Sequence, residues 1–500
     1  MDILANKKQI FLVILIGLLV AVCGCYKKAD GKTGISPTLG ELQGNEDINN
    51  PDRSLNIVCE AEDGIQSGTK VSDEGQGYSG IGFVTDFNSD KDYVEIECEV
   101  EKAGLYNIFI GYRSLHGDKT CSLGVNNQSS EDVVLKKTQE FTEHTAVKAM
   151  LKEGKNSIRI QSGWGWYDID YLRITTAPSK SKSSVAKSLV NPDATKEAKA
   201  LMSFLVDNYG KKIISGQQDF KYVEWIERNT GKKPALLGLD FIDYSPSRVE
   251  FGAVSDETQR AIKWWEDGGI VTFCWHWNAP KDLINTSGKE WWRGFYTKAT
   301  KFDLAYALDN PGSEDYRLIL RDIDVIAKEL KTLQDAGVPV LWRPLHEAGG
   351  GWFWWGAKGP EACKELYILL YERLTHHHKL NNLIWVWSTP EPEWYPGDKY
   401  VDIIGYDSYP EQGGDSPLIN AYDTLEELTR GQKLVALSEN GPIPDPEQLQ
   451  EYNAGWSWFC TWGDMINDGS TNKVGHIREV YSSEYVITLE DLPELAKYND

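Results

Sequence analysis

From residue 191 onward, short apolar runs recur with longer stretches of helical period between them, and this rhythm limits the folds open to the chain. The runs are KIISGQQ (212–218), ALLGLDF (235–241), GIVTFCWHW (269–277), PVLWRPLHE (339–347), NLIWVWS (382–388), VDIIGYDSY (401–409), KLVALSENG (433–441) and WSWFCTW (456–462). Between them lie stretches such as DETQRAIKWWEDGG and YRLILRDIDVIAKELKTLQDAG. The second sets Leu318, Ile319, Ile323, Ile326, Leu330 and Leu333 near one helical face, and Gly337 stops it. Eight strand–helix units between residues 191 and 500 predict a (β/α)8 barrel. The rival, a doubly wound open sheet, lacks a GxGxxG phosphate loop to support it.

The chain ahead of the barrel reads differently. Residues 53–176 carry short segments of period two, YVEIECEV, GLYNIFIGYR, CSLGVN and NSIRIQSG, broken by Gly and Asn turns. They predict an all-β sandwich domain. A Ser/Lys-rich linker covers 177–190, and a polar segment without hydrophobic period, 26–52, reads as a flexible tether. Residues 1–25 read as a signal segment: NKKQ is basic, IFLVILIGLLVAV is an h-region, and the apolar run is short for a membrane span. VCGC resembles a bacterial lipobox, with Cys25 as the acylated residue and Cys23 where a small or hydroxyl residue is usual. That resemblance implies a secreted chain anchored to a membrane through its N-terminal lipid. The other six cysteines fall in two groups, Cys59, Cys98 and Cys121, then Cys274, Cys363 and Cys460. None forms a CxxC pair, so no structural zinc is expected, and each group of three leaves at least one free thiol if disulfides stay within groups.

Charge excludes one partner class. The formal net charge is −23, and nucleic acid binding needs clustered Lys and Arg. Aromatic usage points elsewhere. The chain holds 19 Trp, roughly three times average usage. In LWRPLHEAGGGWFWWG (341–356) a lone acid, Glu347, stands before four aromatic residues. A buried carboxylate is costly unless paired or put to use, and rings exposed in a cleft would offer sugars a flat platform.

In a (β/α)8 barrel the chemistry sits at the C-terminal ends of the strands. The fourth run ends with His346 and Glu347, and the seventh with Glu439. The sixth ends with Tyr406, Asp407 and Tyr409, the third with His276 and Trp277, and the eighth with Trp462. Strands four and seven face each other across the mouth. Glycosidic cleavage needs two such carboxyls, one protonated and one ionised, about 5–5.5 Å apart in retaining enzymes and roughly 6.5–9.5 Å apart in inverting ones. Burial and neighbouring negative charge raise one of a pair, while Arg343, His346 and Tyr409 are the polar groups that can hold the other ionised. No HExxH or comparable ligand pair occurs, so no cofactor is expected for catalysis. The histidines of THHHKL (375–380) fall late in a helix, where cations suit the dipole.

The segments WRPLHE, GGWFWWG, LSENG, TFCWHWN and GYDSY together resemble glycoside hydrolase family 26, over most of 191 to about 480. Its best-known members are endo-β-1,4-mannanases. The resemblance implies a retaining double displacement with Glu347 as acid/base and Glu439 as nucleophile. It carries over Arg343 and His346 as ordering neighbours, Tyr409 as a partner of the nucleophile and His276 as a sugar contact. Trp352 would stack on the leaving-side sugar, and Trp462 would lie under the sugar being cleaved. Many members have Arg directly after that Trp; here Gly463 stands there, so glycone-side contacts depart from the family pattern.

In the β region, CEAEDG, GYSGIGFV and GWGWYDIDYLRI are similar to carbohydrate-binding module family 35. This implies a jelly-roll-like sandwich, a structural Ca2+ and a mannan- or galactan-type ligand. Glu60, Glu62 and Asp170 are the hard oxygen donors suited to that ion. Trp164, Trp166 and Tyr78 are the expected ligand contacts. The whole reads as an endo-acting hydrolase of β-1,4-mannosidic linkages in mannan, galactomannan or glucomannan, with an appended mannan-binding module. A β-1,3-1,4-glucanase or β-1,3-xylanase of the same family is the alternative within the chemistry. A non-catalytic surface polysaccharide-binding protein is the alternative outside it, and the presence of both acids argues against it.

Overall fold

A computed structural model describes residues 56–126, 131–177, 184–409 and 414–498. Cys25, the signal segment and the tether lie outside the described residues. Eight parallel strands close into a barrel. In chain order they are Gly216–Gln218, Leu236–Asp240, Ile270–Cys274, Val340–Arg343, Leu383–Trp387, Ile403–Ser408, Leu434–Asn440 and Phe459–Thr461. Each falls within one of the eight runs. Barrel strands are covered on both faces, which is why they read as continuous apolar sequence. Every residue of the third, fourth, fifth and seventh strands is buried.

The helix Glu314–Asp335 packs Ile319, Ile323, Ile326, Leu330 and Leu333 against the barrel. Ser313 caps its start by accepting from the Tyr316 backbone N–H. Gly337, at φ 72°, turns the chain after it. Leu318, expected on this face, is only partly buried. Asp322 is buried instead, accepting a 2.9 Å hydrogen bond from Trp277 Nε1. The indole donor compensates for burying the acid.

Every barrel strand is shorter than its run, and in three the difference bears on the site. The first run divides: Ile213–Ile214 pairs with Val486–Ile487 in a separate two-stranded sheet, and only Gly216–Gln218 enters the barrel. The third strand stops at Cys274 and the fourth at Arg343, so His276, Trp277, His346 and Glu347 lie beyond the ladder. In the fourth case the cause is local. Leu345 and Glu347 adopt φ 55° and 53°, a left-handed backbone that cannot continue a strand.

The preceding domain is two antiparallel sheets face to face. One runs Lys70–Ser72, Phe83–Thr85, Asp168–Thr176, Gly104–Arg113, Thr142–Leu151, with Asn56–Glu60 also paired to Asp168–Thr176. The other runs Ile65–Ser67, Tyr93–Val100, Gly154–Trp164, Lys119–Val125, Glu131–Leu135. Alternation is clean in Tyr93–Val100, which buries Val94, Ile96, Cys98 and Val100. A Cys59–Cys98 disulfide joins the sheets, while Cys121, Cys363 and Cys460 are buried free thiols and Cys274 is buried with its Sγ near the Leu239 carbonyl. The sandwich docks on the barrel through Thr142–Leu151. Lys148 Nζ pairs with Asp423, and the Met150 backbone N–H donates to Tyr452 Oη at 3.2 Å.

Candidate active site

The seventh strand carries Glu439 at the barrel mouth, fully buried. An isolated buried carboxylate would shed its charge, so its partners matter. Arg343, ending the fourth strand, donates from Nη2 to Glu439 Oε1. Its Nη1 donates to Asp407 Oδ2 at 2.9 Å and to Ser388 Oγ at 3.2 Å. Tyr409 Oη donates to the other oxygen, Glu439 Oε2. Burial opposes the Arg343 charge, and Asp407 and Glu439 outweigh it, so the guanidinium stays protonated. Burial, with Glu439 and Glu347 close by, pushes the Tyr409 phenol well up, keeping it a donor. Asp407 is the third carboxyl of this wall and accepts from Ser438 Oγ at 2.8 Å. Its pKa is pushed up to about 7, first by burial and then by Glu439 and Glu347, against the pull of Arg343.

Glu347 is held by a turn rather than a strand. Its backbone N–H donates to the Ser388 carbonyl at 3.2 Å, and the next N–H donates to Thr389 Oγ1 at 3.0 Å. The glycines that follow have a steric purpose. A Cβ at Gly350 would fall 1.9 Å from the Trp352 ring. Its absence lets the indole fold back, so that Trp352 Nε1 donates to Glu347 Oε2 at 3.0 Å. One oxygen each of Glu347, Asp407 and Glu439 lie within 4.8 Å of one another. A sugar's anomeric carbon and its leaving oxygen fit between two carboxyls at that spacing.

Behind this pair stand two histidines. His346 Nε2 is 4.0 Å from Glu439 Oε1 and 3.2 Å from His276 Nε2. His276 Nδ1 lies 2.6 Å from Asp240 Oδ2. Trp462, 9% exposed, faces His276 with ring centroids 5.7 Å apart.

Residues 190–491 match glycosyl hydrolase family 26, and residues 57–177 match carbohydrate binding module (family 35). The chain belongs to glycosyl hydrolase family 26. It is 44% identical over 472 residues to a mannan endo-1,4-beta-mannosidase of Thermothelomyces thermophilus, covering 94% of this chain and 97% of that one. It is 37% identical over 455 residues to mannan endo-1,4-beta-mannosidase A of Piromyces sp., covering 88% of this chain and 73% of that one. The crystal structure of Podospora anserina GH26-CBM35 beta-(1,4)-mannanase superposes with TM-score 0.67 at 46% identity, covering 88% of this chain and 99% of the other.

Within this family 26 barrel, Glu347, Glu439, Arg343, His346, His276, Trp352, Tyr409 and Trp462 gather at one end, as expected from the strand ends. The wall of indoles does not. Phe353, Trp354 and Trp355 are buried in the core, and only Trp352 keeps a partly exposed ring. The buried indoles brace the site instead: Trp355 Nε1 donates to the His346 carbonyl at 3.0 Å, and Trp354 Nε1 to the Trp277 carbonyl at 2.6 Å. Asp407 was in view at the end of the sixth run without a role. Asp240 was missed, although it is the only charged residue in the second run, ALLGLDF.

In the sandwich, three acids converge on residues 79–82. Ser79 donates from Oγ to Glu60 Oε2 at 2.6 Å and from its backbone N–H to Asp170 Oδ1 at 3.0 Å. The Ile81 N–H donates to Glu62 Oε1 at 2.8 Å, and Glu62 Oε2 is buried without a hydrogen-bond partner among the described residues. Burial, then the charges of Glu60 and Glu62, pushes Asp170 up to about 6. Trp166 is 62% exposed on a turn at φ 71°, its N–H tied to the Phe87 carbonyl at 2.9 Å. Tyr78 packs its ring on Phe83 and Phe141. The Trp164 side chain lies outside the described residues.

Proposed function

We propose that this chain cleaves internal β-1,4-mannosidic linkages of mannan, galactomannan or glucomannan by retaining double displacement. One observation carries the reading: two carboxyls within 4.8 Å, one clamped by a cation and a phenol and the other set on a turn beside an indole. The mannan-cleaving names of the relatives support the substrate.

Glu439, kept ionised by Arg343 and Tyr409, attacks the anomeric carbon. Glu347 gives its proton to the leaving oxygen as the glycosidic C–O bond breaks and an ester bond to Glu439 forms. Glu347 then takes a proton from water, whose oxygen attacks the same carbon and releases Glu439. Two inversions leave the β configuration in place. His346 and Arg343 order the nucleophile, and His276 closes the wall of the cleavage subsite. Trp352 combines stacking on the leaving-side sugar with its hydrogen bond to Glu347, and Trp462 is the platform beneath the sugar being cleaved.

The sandwich, taken as residues 53–176, binds mannan through Trp164, Trp166 and Tyr78, and raises the local polymer concentration for the barrel of 191–500. Glu60, Glu62 and Asp170 fit a Ca2+: they are hard oxygen donors around one loop, one of them with an orphaned buried oxygen. Bound there, the ion would neutralise their charge and fix the loop. The chain is secreted and tethered by a lipid on Cys25. No helix among the described residues is long and apolar enough to cross a membrane.

The test is a product profile from linear mannan, galactomannan and mixed-linkage glucan, with anomeric configuration recorded early. Internal cuts in mannan with β-anomers first are expected. Cleavage of the glucan alone would overturn the substrate, and α-anomers first would overturn the double displacement.

A further inference from the structure

The histidine pair behind Glu439 is directional, and Asp240 sets the direction. Asp240 Oδ1 accepts from the backbone N–H groups of Ile242 at 2.9 Å and His276 at 3.0 Å. With Oδ1 taken up by two donors, Oδ2 faces His276 Nδ1 at 2.6 Å as an acceptor. The His276 proton therefore sits on Nδ1, and Nε2 is left with a lone pair. That lone pair meets His346 Nε2 at 3.2 Å, which must then be the N–H donor. The donor proton of His346 thus lies on the nitrogen that is 4.0 Å from Glu439 Oε1. His276 is 1% exposed, His346 is fully buried, and the rings of Phe295, Phe353 and Trp462 close around His276. Solvent cannot readily reset the chain of protons.

We infer that Asp240 is a positioning residue for the reaction: by fixing the tautomer of His276 it places the His346 proton on Nε2, in the hydrogen bond to His276, and so sets the positive edge of the His346 ring beside the nucleophile Glu439. The inference rests on the nucleophile role proposed above. A positive edge beside Glu439 favours its ionised form, and a negative edge there would disfavour it. Among the described residues, the groups facing this line include Cys274, whose Sγ is 4.0 Å from His276 Nδ1 and 3.7 Å from the Leu239 carbonyl, and, around Glu439, Arg343, Tyr409, Asp407 and Glu347. The tautomer stands beside them: the Cys274 thiol donates to the Leu239 carbonyl and leaves its sulfur to His276 Nδ1, the Tyr409 hydroxyl donates to Glu439, and the Arg343 guanidinium can only donate.

The test is Asp240→Asn. Two backbone donors demand an oxygen at the Oδ1 position, so the amide NH2 must face His276 Nδ1. The His276 proton moves to Nε2, the hydrogen bond to His346 reverses, the His346 proton moves to Nδ1, and the negative edge of its ring comes to lie beside Glu439. The acidic limb of the kcat/KM profile on a soluble mannan should move up by about one pH unit, a roughly tenfold loss at pH values on that limb. The shift should vanish when Asp240→Asn is added to His276→Phe. Melting temperature separates this from damage to the fold, since a structural role would lower it and leave the limb in place. Nitrogen-15 NMR of the histidine-labelled full chain gives an answer without substrate. Wild type should show His276 protonated on Nδ1 and His346 on Nε2, and the variant should show both reversed. An Nε2-protonated His276 in the wild type, or an unmoved limb in a folded variant, would overturn the inference. Failure of the wild type to cut any mannan would instead overturn the substrate reading, with the NMR result still deciding this one.

Discussion

The two carboxyls proposed for catalysis occupy regions of opposite character. Glu439 closes a fully buried strand, with Arg343 on one oxygen and Tyr409 on the other. Glu347 sits beyond the end of its strand on a left-handed turn, partly exposed, with Trp352 Nε1 on one oxygen. The wall is built from three strand ends, and its geometry cannot change cheaply. On the proposed reading the turn carries the acid that gives and takes back a proton within one catalytic cycle. Identical side chains thus take different roles from what surrounds them.

Breaking the nucleophile should have the largest effect. Glu439→Ala should lose four or more orders of magnitude in kcat, with polymer binding by the intact chain retained in a pull-down on insoluble mannan. Glu347→Ala sharpens the contrast. Mannan turnover should fall by roughly 10³–10⁴-fold, yet a dinitrophenyl β-mannobioside, whose leaving group needs no proton, should still give a burst of dinitrophenol. An equal loss on both substrates would erase the distinction between the two acids. Tyr409→Phe removes one donor from the wall and should cost about 10²-fold in kcat, with little change in KM.

Asp407 tests the wall through stability. Its folded pKa, pushed up to about 7, exceeds the ordinary value of 3.8. Between those two values the folded chain holds a proton that the unfolded chain has released. Stability from this group is therefore lost as pH rises through that window. Asp407→Asn should flatten the decline, read as denaturation midpoints at about pH 4.5 and pH 7.5. The smallest effect belongs to the turn: Trp352→Phe keeps a ring and removes the Nε1 donor, and should lower kcat roughly three- to tenfold, the worth of about one hydrogen bond.

Much of this was legible. The eight strands were, because strands covered on both faces are written as unbroken apolar runs. The meeting of Glu347 and Glu439 at the barrel mouth was, because the ends of parallel barrel strands share one face. The strand limits were not: Leu345 and Glu347 end the fourth strand through left-handed backbone, which no side-chain pattern announces. The divided first run depends on pairing with Val486–Ile487, far along the chain. The aromatic run after Glu347 misled in a specific way. Trp354 and Trp355 look like a sugar platform in sequence, yet their indole N–H groups hold backbone carbonyls beneath the site. Composition cannot tell a ring that faces a cleft from one that braces it. Asp240 was open to the strand-end rule, but its meaning depends on His276 lying beside it.

The most direct test is to trap the ester. A dinitrophenyl 2-deoxy-2-fluoro-β-mannobioside should inactivate the enzyme with stoichiometric release of dinitrophenol. Peptide mass spectrometry should then place the sugar on Glu439. A label on Glu347, or on any other residue, would contradict the assignment of roles to these two regions.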